Sequence, residues 1–481
     1  VLRKGALDME LCAFALAGDA APSAPARVDA MRVTIRNRGA APEDAALRLV
    51  IQSDRVLSMD AAAGMALRRG QPFLTVSQQP LAKMDGQTLS LDLPAKRLSP
   101  GETDTVIVAA HHNAAAHVWT EDEAAAALAS SRAYWRSVPL PYGVVSVPDP
   151  AIQALFDSCV RNIWQAREIK DGLPAFQVGP TCYRGLWIVD GAFLLEAAAL
   201  VGAGEQARAG IQYTLSKQKE TGAFEVLSPK YYKENGIVLW TCVRHAMLTQ
   251  DKDWLGSVWP QLEKAVAYIQ ELRRQSRDNA RWLCKGLIPP GDIDGGLSNP
   301  HRGEYTNVYW NLLGLKAIIG AARWLGKESQ ADAWQREYDD FYATFRAAAQ
   351  NDLCKDPAGN LYLPIIMGNI GHELPQRAQW AFCHAVYPGQ LFEKNDPLVA
   401  GNLAMLAATE REGMVYGTGW DATGFWNYFA SFYGHAWLWQ GDGQKANRIL
   451  YAYANHAAPT LVWREEQSPQ GEPFKKVGDM P

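Results

Sequence analysis

The chain has 481 residues, of which 48% are hydrophobic and 20% are charged, and its formal net charge is -4. A single hydrophobic core stops growing at roughly 250 to 300 residues, so more than one domain is expected. Nucleic acid is not expected as the main partner, because neutralising phosphates requires a concentrated excess of Lys and Arg and no basic stripe is present. No apolar run reaches the roughly 18 residues that a membrane span requires.

Metal and cofactor motifs are absent from the sequence. The seven cysteines form no C-x-x-C pair and no Cys/His spacing typical of zinc, and no oxygen-rich loop demands calcium. There is no G-x-G-x-x-G after a strand, no G-x-x-x-x-G-K-[ST], no H-E-x-x-H and no G-x-S-x-G. We therefore expect no metal, no cofactor and no serine nucleophile.

The sequence leaves the compartment and the oligomeric state open. No signal peptide is visible, and the chain begins at Val1 rather than at a methionine. A soluble protein is expected, periplasmic or secreted if a leader precedes Val1.

Residues 1–117 show the pattern of half-buried strands. Short alternating apolar runs occur in "RVTIRNRG" (32–39), in "LRLVIQ" (47–52) and on both sides of a Pro-Gly turn in 88–110. Alternation with a period of two residues, bounded by Gly, Pro and Asn, is typical of a sandwich. We predict an N-terminal β-sandwich domain.

Residues 118–150 are predicted to be a helical and proline-rich linker. Thr120 and Glu123 have the spacing of a capping box before an alanine-rich run with high helix propensity. The stretch "RSVPLPYGVVSVPDP" (136–150) then contains too many prolines to be helical throughout.

From residue 151 to the end of the chain the apolar periodicity predicts helices. Their approximate bounds are 151–170, 188–201, 205–218, 236–250, 254–275, 304–325, 328–350, 377–392, 396–409, 424–440 and 443–457. Short connections alternate with long ones that are rich in Gly, Pro, aromatic residues and carboxylates. The long connections are 171–187, 219–235, 276–303, 351–376, 410–423 and 458 onward.

Alternating short and long connections have a geometric meaning. In a ring of antiparallel helical hairpins, successive loops fall on opposite ends, so all six long loops would meet at one mouth. Long irregular loops are uncommon in compact domains unless they carry function. We predict an all-α (α/α)6 toroid over residues 151–481 that lacks its last helix, because the chain stops at Pro481 after the eleventh helix.

This organisation resembles the six-hairpin (α/α)6 glycosidases: glucoamylases, trehalases, processing α-glucosidases and α-L-rhamnosidases. At residue level the resemblance rests on four patches: "YRGLWIVDGAFL" (183–194), "LIPPGDIDGGLSNPHRGEYTNVYW" (287–310), "YGTGWDATGFW" (416–426) and "WREEQSPQG" (463–471). The resemblance implies a general acid in the loop between the fifth and sixth helices and a base in the loop after the eleventh. Inverting glycosidases need such a pair of carboxylic groups.

Three carboxylates in the fifth long connection are candidates for the acid. Asp294 is the first choice, because the glycines of "DGG" let the backbone approach a ligand closely. An Asp before Gly is also a common turn, which is the competing interpretation of Asp294. Asp292 is the alternative acid in the same loop. Glu304 is a further alternative that is equally suited to complement the dipole at the start of the next helix.

Two adjacent glutamates follow the eleventh helix. The resemblance favours Glu466 as the base, because in glucoamylases and trehalases the catalytic glutamate precedes Gln, Lys or Asn, as Glu466 precedes Gln467. Glu465 is the alternative. Trp463 and Arg464 supply an aromatic ring and a cation that suit a buried carboxylate and a bound sugar.

Several residues of the other long loops are expected to bind the sugar through hydrogen bonds or ring stacking. The resemblance implies this role for the aromatic residue and the Asp of "RGLWIVD", with the Arg assisting. The full set of candidates is Arg184, Trp187, Asp190, Glu225, Tyr305, Trp420 and Asp421.

The sequence therefore predicts a glycoside hydrolase that is exo-acting and inverting, with a carbohydrate as its partner and no membrane. A six-hairpin disaccharide phosphorylase, a polysaccharide lyase and a non-catalytic carbohydrate-binding protein remain alternatives. The sugar and its linkage cannot be read, because specificity depends on which hydroxyls meet which side chains.

Overall fold

A computed structural model describes residues 2–17, 26–53, 55–60, 63–85, 87–112, 114–140, 145–179, 183–295, 297, 301–370, 372–467 and 479–480. The chain divides into two compact units, Val1–Pro139 and Leu140–Pro481. Of the stretches quoted above, 141–144 in the proline-rich joint, Gly296, 298–300 and the end of "WREEQSPQG" from Ser468 lie outside the described residues.

The first unit is rich in sheet. Its strands are β1 (Leu2–Lys4), β2 (Leu7–Ala17), β3 (Arg27–Asn37), β4 (Glu43–Ala45), β5 (Arg48–Gln52), β6 (Leu57–Asp60), β7 (Met65–Arg68), β8 (Gln71–Val76), β9 (Leu81–Asp85), β10 (Thr88–Asp92), β11 (Lys96–Leu98) and β12 (Thr103–His112). They form a seven-stranded sheet in the order β1-β2-β3-β12-β8-β7-β6, a three-stranded sheet β5-β10-β9 and the pair β11-β4.

Alternating residues of these strands form the main core of this unit. Val33 and Val106 from the large sheet pack with Leu89 and Leu91 from β10, and these side chains are almost fully buried. The unit ends with helix α1 (Glu121–Ser137), where both hydrogen bonds of the predicted capping box between Thr120 and Glu123 are present. The alternation and the cap thus place the strands and the helix where the pattern predicts them.

The second unit is helical. In the part of the chain that the structure describes, its helices are α2 (Pro150–Gln165), α3 (Ile188–Leu200), α4 (Gly204–Leu215), α5 (Lys233–Thr249), α6 (Lys252–Asp278), α7 (Tyr305–Trp324), α8 (Glu328–Asp352), α9 (Trp380–Val386), α10 (Pro397–Ala408), α11 (Asn427–Gln440) and α12 (Gly443–Asn455). A 3₁₀ turn covers Met367–Asn369. None of the described helices is long and apolar enough to cross a membrane.

Short antiparallel ladders brace the connections of this unit. The pairs are β13 (Arg167–Lys170) with β14 (Leu173–Phe176), β15 (Cys354–Lys355) with β16 (Leu361–Tyr362), β17 (Glu410–Arg411) with β18 (Met414–Val415), β19 (Phe425–Trp426) with β21 (Glu466–Gln467), and β20 (Trp463–Arg464) with β22 (Asp479–Met480). The ladder of β19 with β21 joins the connection before α11 to the segment after α12.

Each of the eleven segments predicted to be helical corresponds to a helix, and one is much shorter than predicted. The ninth was expected over 377–392, whereas α9 covers Trp380–Val386. Pro388 cannot donate to the helical ladder, and Tyr387 before it adopts an extended conformation with φ -148° and ψ 128°. The apolar pattern runs on past this point because Leu391 and Phe392 are still buried.

Candidate active site

A cavity of about 420 Å³ opens in the helical unit, lined by residues from several of the long connections. Five of the six predicted long loops contribute to its wall. The sixth, 351–376, supplies none of the described lining residues, although Trp380 from the start of α9 follows it. The cavity is therefore built mainly by loops that the helices bring together.

Carboxylates and aromatic rings dominate the wall of this cavity. The carboxylates are Asp190, Asp292, Asp294 and Glu465. The aromatic residues are Tyr183, Trp187, Tyr231, Trp380, Trp420, Trp426 and Tyr428. Flat apolar rings beside hydrogen-bonding acceptors match the two faces of a sugar, whose C–H surface packs on a ring while its hydroxyls donate to carboxylates.

Asp294 is held by its neighbours in the loop between α6 and α7. Its Oδ2 accepts from the Tyr231 hydroxyl, and its Oδ1 accepts from the Gly295 amide at 2.7 Å. Gly295 has φ +75°, and a Cβ at this position would lie 1.8 Å from Nε1 of Trp380. This glycine lets the chain pass against an indole ring that lines the cavity.

The two alternatives to Asp294 have other partners. Asp292 lines the cavity, where one oxygen accepts from the Ser228 hydroxyl and the other lies 2.7 Å from Nε2 of His301. Glu304 is the N-cap of α7 and accepts from the amides of Thr306 at 2.7 Å and Asn307 at 2.9 Å. It is not among the described residues that line the cavity, and its geometry is that of a helix cap.

The two adjacent glutamates after α12 differ in their surroundings. Glu465 lines the cavity, accepting from the Tyr183 hydroxyl at 2.6 Å and from Nε1 of Trp426 at 3.2 Å. Burial raises the pKa of Glu465, the hydrogen bonds from Tyr183 and Trp426 oppose this shift, and the charge of Asp294 adds to it. Glu465 thus combines access to the cavity with a proton affinity above that of an ordinary glutamate.

Glu466 is only 1% exposed and is not among the described lining residues of the cavity. Its two oxygens accept from the amide of Asp421 at 3.1 and 3.3 Å, so it holds the loop that carries Trp420. Burial raises the pKa of Glu466 to about 8, and the charge of Glu465 acts in the same direction. These contacts are those of an anchor for the 416–426 loop.

Asp190 lies in the first turn of α3 with its side chain in the cavity wall. Burial raises the pKa of Asp190 to about 8, and the charges of Asp294 and Glu465 act in the same direction. The three carboxylates therefore interact across one cavity. Carboxyl groups in such a cluster do not all ionise near neutral pH, which is what acid and base roles in one site require.

The predicted sugar-binding residues fall into two groups. Trp187 and Trp420 line the cavity together with Asp190. Trp463 and Arg464 instead line a smaller cavity of about 170 Å³, which shares Val178, Asp190 and Tyr428 with the main one. The indole of Trp463 stacks on Tyr453 with the ring centres 4.2 Å apart.

The remaining candidates are engaged elsewhere and are not among the described lining residues. The Glu225 carboxylate accepts from Lys219 Nζ and the Lys230 amide, both at 2.9 Å, and Arg184 pairs with Glu168. The Tyr305 hydroxyl donates to Asp352 at 2.7 Å. The Asp421 carboxylate accepts from the amide and hydroxyl of Thr423, both at 2.8 Å.

Sequence reasoning missed several lining residues: Tyr183, Ser228, Tyr231, Trp380, Trp426 and Tyr428. Tyr183 and Trp426 lie in patches that were quoted for the resemblance, so their position at loop ends was a usable signal. Trp380 is the first residue of α9 and Tyr428 is the second residue of α11. At such positions, apolar periodicity alone does not distinguish a cavity residue from a core residue. No pattern in "SPKYYKENG" (228–236) marks Tyr231.

No known family model matches this sequence, and no curated protein matches it either. Solved structures do resemble it. A wild-type glycosidase has a TM-score of 0.51 at 16% identity, covering 67% of this chain and 88% of its own. A rhamnosidase from Klebsiella oxytoca with rhamnose bound has a TM-score of 0.53 at 12% identity, covering 93% and 83%. A bacterial glucoamylase complexed with acarbose has a TM-score of 0.51 at 11% identity, covering 96% and 78%.

At these identities the similarity concerns the fold. The predicted resemblance to six-hairpin glycosidases is confirmed at that level, because structures of a glycosidase, a rhamnosidase and a glucoamylase all share it.

Proposed function

We propose that the protein is an exo-acting, inverting glycoside hydrolase whose general acid is Asp294 and whose base is Glu465. The observation that carries the proposal is that both carboxylates line one aromatic-walled cavity. The similarity to glycosidase folds supports it. The proposed fold behind it is an (α/α)6 toroid, with the N-terminal sheets forming a β-sandwich.

The proposed reaction uses the two carboxyl groups on opposite sides of the scissile bond. Asp294 gives its proton to the glycosidic oxygen, the bond from the anomeric carbon to that oxygen breaks, and the leaving alcohol departs. Water attacks the anomeric carbon from the other face while Glu465 takes its proton, which inverts the configuration. Asp190, Trp187 and Trp420 hold the terminal sugar in the pocket formed by the loops.

Glu465 replaces Glu466 in this proposal, because a base must reach a water molecule next to the substrate. Glu466 keeps a supporting role, holding the Asp421 amide and with it the Trp420 loop. Its raised pKa fits that role, since a neutral carboxyl group still accepts the backbone hydrogen bonds.

Three amide variants test the assignment on a panel of aryl α- and β-glycosides. Asp294→Asn and Glu465→Gln each remove a proton-transfer group and are expected to lower kcat by about 10² to 10⁴ fold. The matched control is Glu466→Gln. Glutamine resembles the protonated form of Glu466, so the kcat of this variant is expected to stay within a few fold of wild type. An inactive Glu466→Gln beside an active Glu465→Gln would reverse the two glutamates.

The nature of the reaction is tested on the product. NMR of the first sugar released is expected to show the anomer opposite to that of the substrate, with turnover independent of inorganic phosphate. None of the described lining residues is Lys, Arg or His, which favours water over phosphate as the acceptor. Retention of configuration, a need for phosphate, an unsaturated product, or binding without turnover would each contradict the proposal.

A further inference from the structure

We propose that Lys233 is a positioning residue for the general acid, supplying the positive charge that stabilises Asp294 as it loses its proton. The inference rests on the proposed role of Asp294. Lys233 begins α5 and is completely buried, and its Nζ lies 3.9 Å from Oδ2 of Asp294. The same Nζ lies 3.6 Å from the centre of the Tyr231 ring.

The contacts of Lys233 are electrostatic. Among the described residues no atom forms a hydrogen bond with its Nζ. A buried ammonium without hydrogen bonds is costly unless a negative charge lies close by. The face of Tyr231 supplies part of that compensation, and the carboxylate of Asp294 supplies the rest once it has given up its proton. Tyr231 also donates its hydroxyl to the same oxygen of Asp294. Lys233 and Tyr231 thus converge on one carboxylate oxygen.

Lys233 also interacts electrostatically with two further carboxylates. Glu234 accepts from the Val226 amide at 2.7 Å, and Glu304 caps α7. Burial raises the pKa of both groups, and the charge of Lys233 opposes the shift. Neither Glu234 nor Glu304 is among the described residues that line the cavity, whereas Asp294 is. Asp294 is therefore the carboxylate near Lys233 whose charge changes during the proposed reaction.

The positive charge of Lys233 has a defined role in the proposed reaction. When Asp294 transfers its proton, the electron pair of the breaking carbon–oxygen bond stays on the leaving oxygen and a carboxylate remains on Asp294. The charge of Glu465, which is ionised as the proposed base, opposes the formation of that carboxylate across the cavity. The fixed ammonium of Lys233 offsets this effect. A preorganised charge facing a charge that develops in the transition state is an efficient source of catalysis.

Lys233→Met tests the role through its dependence on the leaving group and on pH. Without the cation, proton donation is harder, so kcat/KM for an alkyl glycoside should fall by about tenfold or more. A dinitrophenyl glycoside of the same sugar needs little protonation and should lose much less. In the pH profile of kcat/KM, the limb on the alkaline side should shift to higher pH by about one unit. Equal losses on both substrates with an unmoved limb would overturn the proposal.

Lys252→Met is the matched control. Lys252 also begins a helix and lies over an aromatic ring, 4.9 Å from the centre of Trp324, but it is exposed and is not among the described residues that line the cavity. Its variant is expected to keep the wild-type pH profile and the wild-type ratio of the two substrates.

A double-mutant cycle tests the pairing without activity. At a pH above the basic limb of activity, where the proposed acid has lost its proton, Lys233→Met alone leaves the Asp294 carboxylate without its cation and should lower Tm, whereas the added Asp294→Asn should recover part of that loss. Lys233→Gln replaces Lys233→Met if the latter does not fold. Strictly additive changes in Tm would overturn the pairing. If Asp294→Asn alone keeps full activity, the proposed function is wrong, whatever the result of the double-mutant cycle.

Discussion

Glu465 and Glu466 are neighbours in the chain, yet their carboxyl groups have different partners. Glu465 accepts from a tyrosine hydroxyl and an indole in the cavity wall, whereas Glu466 accepts from a backbone amide. A side-chain donor can be removed by substitution without disturbing the backbone. The bond from Tyr183 to Glu465 is therefore the contact through which the proton affinity of the proposed base can be tuned.

Tyr183→Phe removes that hydrogen bond and keeps the ring. Because the bond lowers the pKa of Glu465, its loss should raise this pKa further, and the base then ionises only at higher pH. The acid limb of kcat/KM should move up by about one pH unit, with most activity recovered above it. The control is Tyr433→Phe, which removes an equal bond of 2.6 Å to Glu410. A limb that moves in both variants, or in neither, contradicts the role of Tyr183.

At the level of the loop, Gly295 decides how Asp294 is presented. Its left-handed backbone and its contact with Trp380 are two separate constraints. A second glycine in the chain has the first constraint without the second. Gly172, in the turn between β13 and β14, has φ +78° and no atom within 4 Å of the place that a Cβ would take. Gly295 has φ +75°, and there an indole nitrogen would lie 1.8 Å from the Cβ.

Gly295→Ala and Gly172→Ala share the strain of a positive φ, which costs on the order of 1 kcal/mol. Only Gly295→Ala also pushes Trp380 and Asp294 apart. We expect a modest loss of Tm from the strain in Gly172→Ala, a larger loss in Gly295→Ala because of the added clash, and a loss of activity of about 10² fold or more only in Gly295→Ala. Thermal unfolding and kcat/KM measure the two effects. Full activity in Gly295→Ala would show that the loop can adjust without moving the acid.

The helices could be predicted from sequence because their apolar stripes repeat over many residues. The choice between Glu465 and Glu466 could not, because adjacent side chains of an extended chain point to opposite sides. The hydrogen bonds from Tyr183 and Trp426 to Glu465, and from the Asp421 amide to Glu466, distinguish the two side chains. These contacts join residues far apart in sequence, and β19 and β21 have only two residues each, too few for a visible alternation.

The role of Glu304 could not be predicted from the sequence either. Its position before a helix suits an acid and a helix cap equally well, since both roles occur there. Only the positions of the Thr306 and Asn307 amides identify the cap. Trp187 and Trp420 line the cavity, but their orientation depends on loops whose conformation has no periodic signal in the sequence.

Across the whole helical unit, buried carboxyl groups with raised pKa values link stability to pH. Burial raises the pKa to about 8 for each of Asp190, Glu234 and Glu466. In the unfolded chain such groups titrate at about 4, so the folded state binds more protons than the unfolded state between these values. Their contribution to stability is complete below the unfolded pKa and is lost as the pH rises through the folded pKa.

Thermal unfolding should therefore show a Tm that falls by several degrees between about pH 5 and about pH 8. The variant Glu234→Gln/Glu466→Gln tests the cause, because neither residue is among the described lining residues and glutamine resembles the neutral acid. Its Tm should depend less steeply on pH over the same interval, since two of the three groups can no longer ionise. Glu271→Gln is the control: hydrogen bonds from Arg274 and Gln275 lower the pKa of Glu271 to about 2, so its effect is confined to acidic solution. A wild-type slope in the double variant would mean that these carboxyl groups ionise normally in the folded protein.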